Sequence, residues 1–239
     1  MATWMSHFRI ADYFLDRLPG LDAPAFVVGN IGPDCGVPNA DWSVFTPSGD
    51  VTHWRNPALG NDIDHEGFRV AWLTGAASVG DAAEAAPSVS QRAWSFYLGY
   101  YIHLLSDVWW GALVHQPKTR LFQAEMASDP RFIWVMKKDW YDLDFAFLQG
   151  QRNFRPFRIF QQVGEFGNDL LDYYPAGAFT RQIKYISDFY TQSKDLAGRE
   201  YVYLNRSEID GYCARACTEI EQVLGDKGFM PRRLRCVIF

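Results

Sequence analysis

The sequence predicts an all-α protein: a single helical domain over residues 1–239, with about seven or eight helices around a central helix that bears a histidine and an aspartate. Apolar side chains recur at helical spacing in most segments, whereas no stretch alternates polar and apolar residues long enough to predict a strand. With 239 residues, of which 48% are hydrophobic and 16% aromatic, the chain can bury one sizeable core or at most two small ones.

The first third of the chain predicts two helices separated by an apolar run and a long loop. Met5–Leu18 carries an apolar stripe at helical spacing and ends at a Pro-Gly pair. Ala23–Ile31 is a short apolar run closed by a Gly-Pro pair. Residues 35–61 are rich in Pro, Gly, Asn and Asp and predict an irregular loop, and loops of this length are usually functional or disordered. A second helix is predicted over Asp64–Leu73.

The central helix is predicted from about Val89 to Leu113, after an Ala- and Gly-rich link over residues 75–86. Ser88 or Ser90 could cap it, and Pro117 is expected to break it. Further helices are then predicted, the last of them capped by Ser207: Thr119–Met126, a helix opened by Asp129-Pro130 that runs to about Leu148, Ile159–Tyr174, Phe179–Leu196 and Glu208–Leu224.

Charge and composition narrow the class of protein. The net charge of −5 provides no basic field for nucleic acid or anionic membranes, so nucleic acid is not expected as a partner. No apolar run reaches the ~18 residues of a membrane span, and the start of the sequence lacks the pattern of a signal peptide, so a cytoplasmic location is expected. Cys213 and Cys217 share a helical face; two buried thiols are the simpler interpretation, and contact with a metal or with each other is the alternative.

The last four residues, Cys236-Val-Ile-Phe239, match the pattern of a prenylation signal, and three arginines precede them. In a bacterial protein the match is coincidental, because the prenylating enzymes are normally absent there. We interpret it as coincidental.

The stretch Phe96–Trp110 contains a polar pair in apolar and aromatic surroundings. In a helix, the spacing of four between His103 and Asp107 stacks both side chains on one face. Buried polar groups are costly without partners, so the pair requires an explanation. A divalent metal is one, and a simple hydrogen bond within the core is the other.

Five polar residues at the ends or centres of the predicted elements form a candidate ligand set. Histidine nitrogen and carboxylate oxygen suit zinc, and also iron or manganese. Spacing alone does not show that residues so far apart in the chain converge. The set is His7, Asp34, His53, His103 and Asp107.

Several stretches resemble the zinc-dependent phospholipase C family, in its small, leaderless bacterial branch, which is related to the P1-type nuclease fold. The resemblance covers roughly residues 1–150, and residues 151–239 resemble the family only in being helical. The matching stretches are Ala2–Asp12, Phe26–Asp34 with its GNIGPD motif, Thr52-His53, Gly99–Asp107 and Lys138–Asp144.

The resemblance implies an all-α fold with up to three zinc ions in a cleft, and the cleavage of phosphodiester bonds, of nucleic acid in a related branch. It implies that His7 binds one metal, that Asp34, His53 and His103 bind a second, and that Asp107 bridges the two. It also implies that Asp34 serves as the catalytic general base.

The chain departs from the family pattern at two points. Family members use a mature amino-terminal tryptophan as a ligand, a role that Trp4 cannot fill without processing. The histidine and the His-x3-Glu pair that complete the family's third metal site are also missing. His115 is the only histidine left downstream. Asp139, Asp142 or Asp144 would have to replace the missing ligands or to orient the ligating histidines. Two zinc ions are therefore expected, and a third site is left open.

Other polar residues keep two interpretations each. Asp12 is a possible second-shell carboxylate, and His65 either lines the cleft or is a solvated histidine at a helix start. Arg152, Arg155 and Arg158 could clamp a phosphate, since guanidinium matches its geometry, or could form a solvent-facing basic stretch.

The predicted function is a metal-dependent hydrolase of phosphate esters, chiefly phosphodiesters, that uses a water activated by two metal ions on a small phosphate-ester substrate. The alternatives are a metal-binding helical protein without catalysis, and a nuclease or nucleotide phosphodiesterase on the same scaffold.

Overall fold

The computed structural model describes residues 1–60, 62–74, 90–129 and 131–230. Pro130, the predicted link over residues 75–86 and the carboxyl-terminal signal at Cys236 lie outside these residues. The described part of the chain confirms the all-α prediction and contains eight helices of eight residues or more. They are α1 (Trp4–Leu15), α2 (Ala23–Ile31), α4 (His65–Trp72), α5 (Gln91–Trp110), α8 (Phe132–Gly150), α9 (Arg155–Val163), α10 (Ala178–Thr191) and α11 (Arg206–Asp226).

The segment predicted as an irregular loop contains small pieces of regular structure. Two antiparallel pairs of two-residue strands lie in this segment and at its end, with Val37 opposite Thr46 and Arg55 opposite Ile63. A one-turn helix lies between the two pairs, and two further short helices lie farther along the chain. These elements are β1 (Val37–Pro38), β2 (Phe45–Thr46), α3 (Gly49–Thr52), β3 (Arg55–Asn56), β4 (Asp62–Ile63), α6 (Gln116–Leu121) and α7 (Gln123–Ser128).

The central helix α5 begins as predicted but does not end as predicted. Ser90 caps it, because its hydroxyl accepts a hydrogen bond from the backbone N–H of Ala93 at 3.2 Å. Beyond Trp110 the chain continues through a π-helical turn, Gly111–His115, directly into α6. The predicted break at Pro117 is therefore wrong: the proline falls in the first turn of α6, where its missing N–H is tolerated.

Helix α5 packs on α2 by direct backbone contact. A Cβ atom at Gly29 would lie 2.0 Å from the carbonyl oxygen of Phe96, and a Cβ atom at Gly99 would lie 2.2 Å from that of Phe26. Only glycine permits this approach. Helices α1, α4, α9 and α11 pack against this pair, and Trp110 of α5 is fully buried.

The carboxyl-terminal half departs from the predicted helix boundaries. Helix α9 ends before Gly164, which has φ +65°, so the predicted helix over Ile159–Tyr174 is wrong beyond residue 163. Helix α10 ends at Thr191, before the predicted end at Leu196. Asn205, and not Ser207, caps α11, because it forms a reciprocal capping box with Glu208. None of the described helices combines the length and the hydropathy needed to span a membrane.

A buried carboxylate links three helices at the amino-terminal end of α1. Asp144 of α8 accepts hydrogen bonds from the hydroxyl of Thr3 at 2.8 Å and from that of Tyr190 in α10 at 2.5 Å. Burial raises the pKa of Asp144 from 3.8 to about 7, although both hydrogen bonds act in the opposite direction.

Alanine at Gly99 tests the α2–α5 contact. We expect Gly99→Ala to lower the free energy of unfolding by at least about 2 kcal/mol, because the added methyl group forces the two helices apart. Gly211→Ala is the matched control: Gly211 lies within α11 with open space around it, so alanine should stabilise the protein by about 0.5–1 kcal/mol. Urea unfolding measures both, and equal effects of the two variants would contradict the contact.

The carboxyl group of Asp144 predicts a dependence of stability on pH. Its folded-state pKa of about 7 exceeds the unfolded value near 3.8, so the folded state binds this proton more tightly. This contribution to the free energy of unfolding falls by up to about 1.4 kcal/mol per pH unit as the pH rises from about 4 to about 7. Urea unfolding at pH 5 and pH 8 should show a smaller difference for Asp144→Asn than for the parent. Asp188→Asn, at an exposed position, should leave the difference unchanged.

Candidate metal centre

Four segments of the chain bring five polar side chains together beside α5. They come from the first turns of α1, the 3-10 turn Gly32–Asp34 that follows α2, the residue that ends α3, and α5 itself. Within the described residues, two groups have the spacing that a metal requires, with ligand atoms within 4.8 Å of one another: His7, Asp34 and His103, and His53, His103 and Asp107.

Asp107 lies at the centre of this five-residue cluster. Its Oδ2 lies 3.4 Å from Nε2 of His53 and 3.6 Å from Nε2 of His103, and its Oδ1 lies 3.7 Å from Nε2 of His7. Asp34 completes the cluster, with Oδ1 at 3.5 Å from Nε2 of His53. These gaps of 3.4–3.7 Å are long for hydrogen bonds and lie at or slightly above the separation of roughly 3.3–3.5 Å between neighbouring tetrahedral zinc ligands.

The hydrogen bonds of the three histidines fix which ring nitrogen faces the cluster. Nδ1 of His103 lies 2.8 Å from the carbonyl oxygen of Asn30, and Nδ1 of His53 lies 3.0 Å from that of Gly49, so both nitrogens must donate. The hydroxyl of Ser106 donates to the carbonyl of His103 and therefore accepts from Nδ1 of His7 at 2.8 Å. Each Nε2 consequently presents a lone pair, as metal-binding histidines do when the other nitrogen is held.

Four buried atoms of the cluster have no hydrogen-bond partner: Nε2 of His7, His53 and His103, and Oδ2 of Asp107. Four such atoms buried close together are costly unless a ligand satisfies them. Nitrogen and carboxylate donors at this spacing fit a zinc-type ion. The residues present therefore fit the metal that the sequence resemblance implies.

The pKa values within the cluster are shifted in different directions: burial acts to lower that of His103, but Asp107 and Asp34 outweigh it and raise the pKa. Burial, with His103 stacked on it at 3.7 Å between ring centres, lowers the pKa of His7 to about 3, so this ring is neutral at pH 7. Burial opposes the charge of Asp107, but the ammonium group of the amino terminus, followed by His103 and His7, outweighs burial and holds the pKa of this carboxyl well below its usual range. The pKa of Asp34 is lowered in the same way, burial being overcome by His53 and His103.

Tyr100 of α5 positions the segments that carry Asp34 and His53. Its ring packs against Gly32, where an added Cβ atom would lie 2.6 Å from it, and its hydroxyl donates to the carbonyl of Thr52. Tyr174, from the non-helical segment after α9, donates to the carbonyl of Gly32 at 2.7 Å. These contacts fix both ligand-bearing segments relative to the helix that carries His103 and Asp107.

A cleft of about 630 Å³ opens beside Asp107. The π-helical turn lines one side of it, which agrees with the tendency of such turns to occur at functional sites. His65 and His115 both line this cleft. Asp34 is the most accessible member of the cluster, with 10% of its side chain exposed against 2% or less for the other four.

The structure holds the downstream aspartates in other interactions. Asp139 accepts from the backbone N–H groups of Val202 and Tyr203 at 2.8 and 2.7 Å and pairs with Arg199. Asp142 accepts from Arg199 at 2.8 Å and pairs with Lys194. Among the described residues neither belongs to a metal-spaced group, and their contacts fasten α8 to the segment that precedes α11.

Arg155 and Asp12 are engaged with each other. The guanidinium of Arg155 donates to Oδ1 of Asp12 at 3.0 Å and to Asp16 at 2.7 Å, which joins α9 to the end of α1. Arg152 is exposed beside them. The structure places Arg152, Arg155 and Asp12 outside the five-residue cluster.

Sequence reasoning missed two residues of α8 that are coupled to the cluster. Burial lowers the pKa of Lys137, while the charges of Asp34 and Asp107 act in the opposite direction. Burial and the charges of Asp144 and Asp34 raise the pKa of Tyr141. Their spacing of four, which places both on one helical face, is the signal that could have identified them.

Comparison with curated proteins and with solved structures found no match. The family described as "Zinc dependent phospholipase C" matches residues 6–221, which include every member of the five-residue cluster. This match extends the resemblance well beyond residue 150, through the carboxyl-terminal helices. It supports a metal-dependent phosphoesterase, and the buried His/Asp cluster supports zinc as the metal. The chain belongs to the zinc-dependent phospholipase C family.

Proposed function

We propose that this protein hydrolyses phosphate esters, with phosphodiesters as the main substrate class, by means of two zinc-type ions held in the five-residue cluster. The observation that carries the proposal is the gathering of three unpartnered Nε2 atoms and one unpartnered carboxylate oxygen in two neighbouring groups with metal spacing. A zinc pair supplies Lewis acidity to the phosphoryl group and lowers the pKa of water toward neutrality.

The two oxygens of Asp107 face different ligands, which supports a bridging role. Oδ1 lies on the side of His7, and Oδ2 lies on the side of His53 and His103. The backbone N–H of Ala2 donates to Oδ1 at 2.7 Å and fixes the orientation of the carboxylate. We assign His7 to one ion, His53, His103 and Asp34 to the other, and Asp107 to both.

Asp34 is suited to accept the proton of the attacking water. It is the cluster member most exposed to solvent, and its lowered pKa keeps it ionised at neutral pH. An ionised carboxylate acts as a general base when it lies within hydrogen-bond reach of the attacking water. The buried histidines, whose Nδ1 protons are held by carbonyl or hydroxyl oxygens, act only as ligands.

Metal analysis tests the ligand set. Protein purified without chelator should contain about two transition-metal ions per chain, and Asp107→Asn should lose at least one of them, since an amide is a poorer ligand than the carboxylate it replaces. Asp172→Asn, at an exposed position, is the control and should match the parent. Mass spectrometry of the metals gives the count, and fewer than one ion per parent chain would exclude the two-metal centre.

Kinetics tests the role of Asp34. On bis(p-nitrophenyl) phosphate, Asp34→Asn should lower kcat by about 10²–10⁴-fold, because the variant cannot accept the proton. Asp62→Asn replaces an exposed carboxylate that lines the cleft beside Asp107, and this variant should retain nearly full activity. A metal-loaded parent protein that is inert on mono- and diesters of lipids, nucleotides and sugars would instead identify a non-catalytic metal-binding protein. Salt-dependent turnover of oligonucleotides would favour the nuclease alternative.

A further inference from the structure

Basic side chains from three elements line the cleft beside Asp107. They are Arg55 of β3, His65, which is the first residue of α4, and His115, which is the last residue of the π-helical turn. Among the described residues, none of the three belongs to either metal-spaced group. The cleft therefore holds a set of basic groups that the proposed ligand set does not contain.

Main-chain contacts fix Arg55 at this cleft. Because β3 pairs with β4, Arg55 lies opposite Ile63, which lines the cleft as well. The carbonyl of Trp54 accepts a hydrogen bond at 2.8 Å from the backbone N–H of Asp64, the residue that precedes His65. The paired strands therefore bring Arg55 and His65 to the same cleft and hold the backbone of both in place.

The charges around Arg55 leave it able to bind an anion. Its guanidinium group is always protonated, and its Nε lies 3.6 Å from Oδ1 of Asp50, whose side chain is 71% exposed. Solvent screens such a pair, so an anion in the cleft can compete with it. The acidic residues among the described cleft lining are Asp62, which is exposed, and Asp107, whose charge bound zinc would compensate.

The two histidines add hydrogen-bond donors without added charge. Burial lowers the pKa of His65 and of His115, so both rings are neutral at pH 7 and each has one N–H to donate. Nδ1 of His65 is buried and has no hydrogen-bond partner in the described part of the chain. The pKa of His115 is lowered further by positive charges, among them that of Arg55. An anion would be stabilised by the same charges.

We infer that Arg55, with His65 and His115, forms a subsite in this cleft that binds a phosphate group of the substrate. The inference rests on the proposed function and adds protein donors to the metal ligands. A guanidinium group matches phosphate through two parallel hydrogen bonds. The volume of about 630 Å³ is within the usual range of small-molecule sites. Because Asp107 lines the same cleft, a phosphate held there lies beside the proposed metal pair.

Inorganic phosphate is the probe for this subsite. Calorimetric titration of the zinc-loaded and the metal-free protein should give a Kd about ten- to a hundredfold higher for Arg55→Met than for the parent, as expected for the loss of hydrogen bonds to a charged group. Arg55→Lys keeps the charge without the planar fork and should lie between the two. Arg120→Met, at an exposed position of α6 outside the cleft lining, is the matched control and should equal the parent.

Two further variants test the neutral donors. His65→Phe and His115→Phe each remove one N–H and should raise the Kd for phosphate by about two- to tenfold. If Arg55→Met folds poorly, Arg55→Gln serves for the same comparison.

Metal content and unfolding temperature, measured on every variant, separate this inference from the proposed function. Equal phosphate affinity in the parent and in folded Arg55→Met overturns the subsite and leaves the metal centre standing, because phosphate then binds elsewhere. If the parent binds no zinc, the proposed function fails. A loss of phosphate binding confined to the cleft variants of the metal-free protein then still supports the subsite, and an absence of phosphate binding by the parent in both forms overturns it.

Discussion

The close approach of α2 and α5 is the constraint on which the metal centre depends. Because Gly29 and Gly99 allow backbone to touch backbone, the carbonyl of Asn30 reaches Nδ1 of His103 and fixes the direction of that ring. The same contact places the 3-10 turn that ends at Asp34 beside α5. A larger distance between α2 and α5 would remove both the hydrogen bond to His103 and the position of the 3-10 turn. The packing of two small residues thus determines the geometry of a site that neither residue contacts.

Hydrogen bonding divides the buried carboxylates of this protein into two kinds. Asp139 and Asp144 find enough donors among backbone N–H groups, hydroxyls and a guanidinium to complete their shells. Asp107, in contrast, keeps an oxygen without a partner, as do three nitrogens around it. Burying unsatisfied groups lowers stability, and proteins retain such an arrangement where a ligand completes it. The incomplete shell, rather than the mere presence of acidic residues, distinguishes the metal centre from the structural carboxylates.

The cleft joins this centre to the surface with walls of different character. One wall is the π-helical turn, which brings His115 to the cleft because the extra residue shifts the helix that follows α5. Lys137 and Tyr141 of α8, which are not among the residues lining the cleft, are both electrostatically coupled to Asp34. The ligands of the proposed metal centre come from four separate segments of the chain.

The sequence by itself determined the features that depend on neighbours along the chain. Helical periodicity identified the main helices, and the spacing of four between His103 and Asp107 identified the central pair, because residues one turn apart share a face. The family resemblance named the distant residues that join that pair, and the tertiary structure shows them beside α5. Other pairings were decided by the tertiary structure alone. In the folded chain Asp142 pairs with Arg199, Arg155 pairs with Asp12, and α9 ends before Gly164. Ion pairs and turns between distant segments leave no local pattern in the sequence. Convergence of His7, Asp34 and His53 on α5 likewise follows from helix packing, which is a property of the folded chain and not of any one segment.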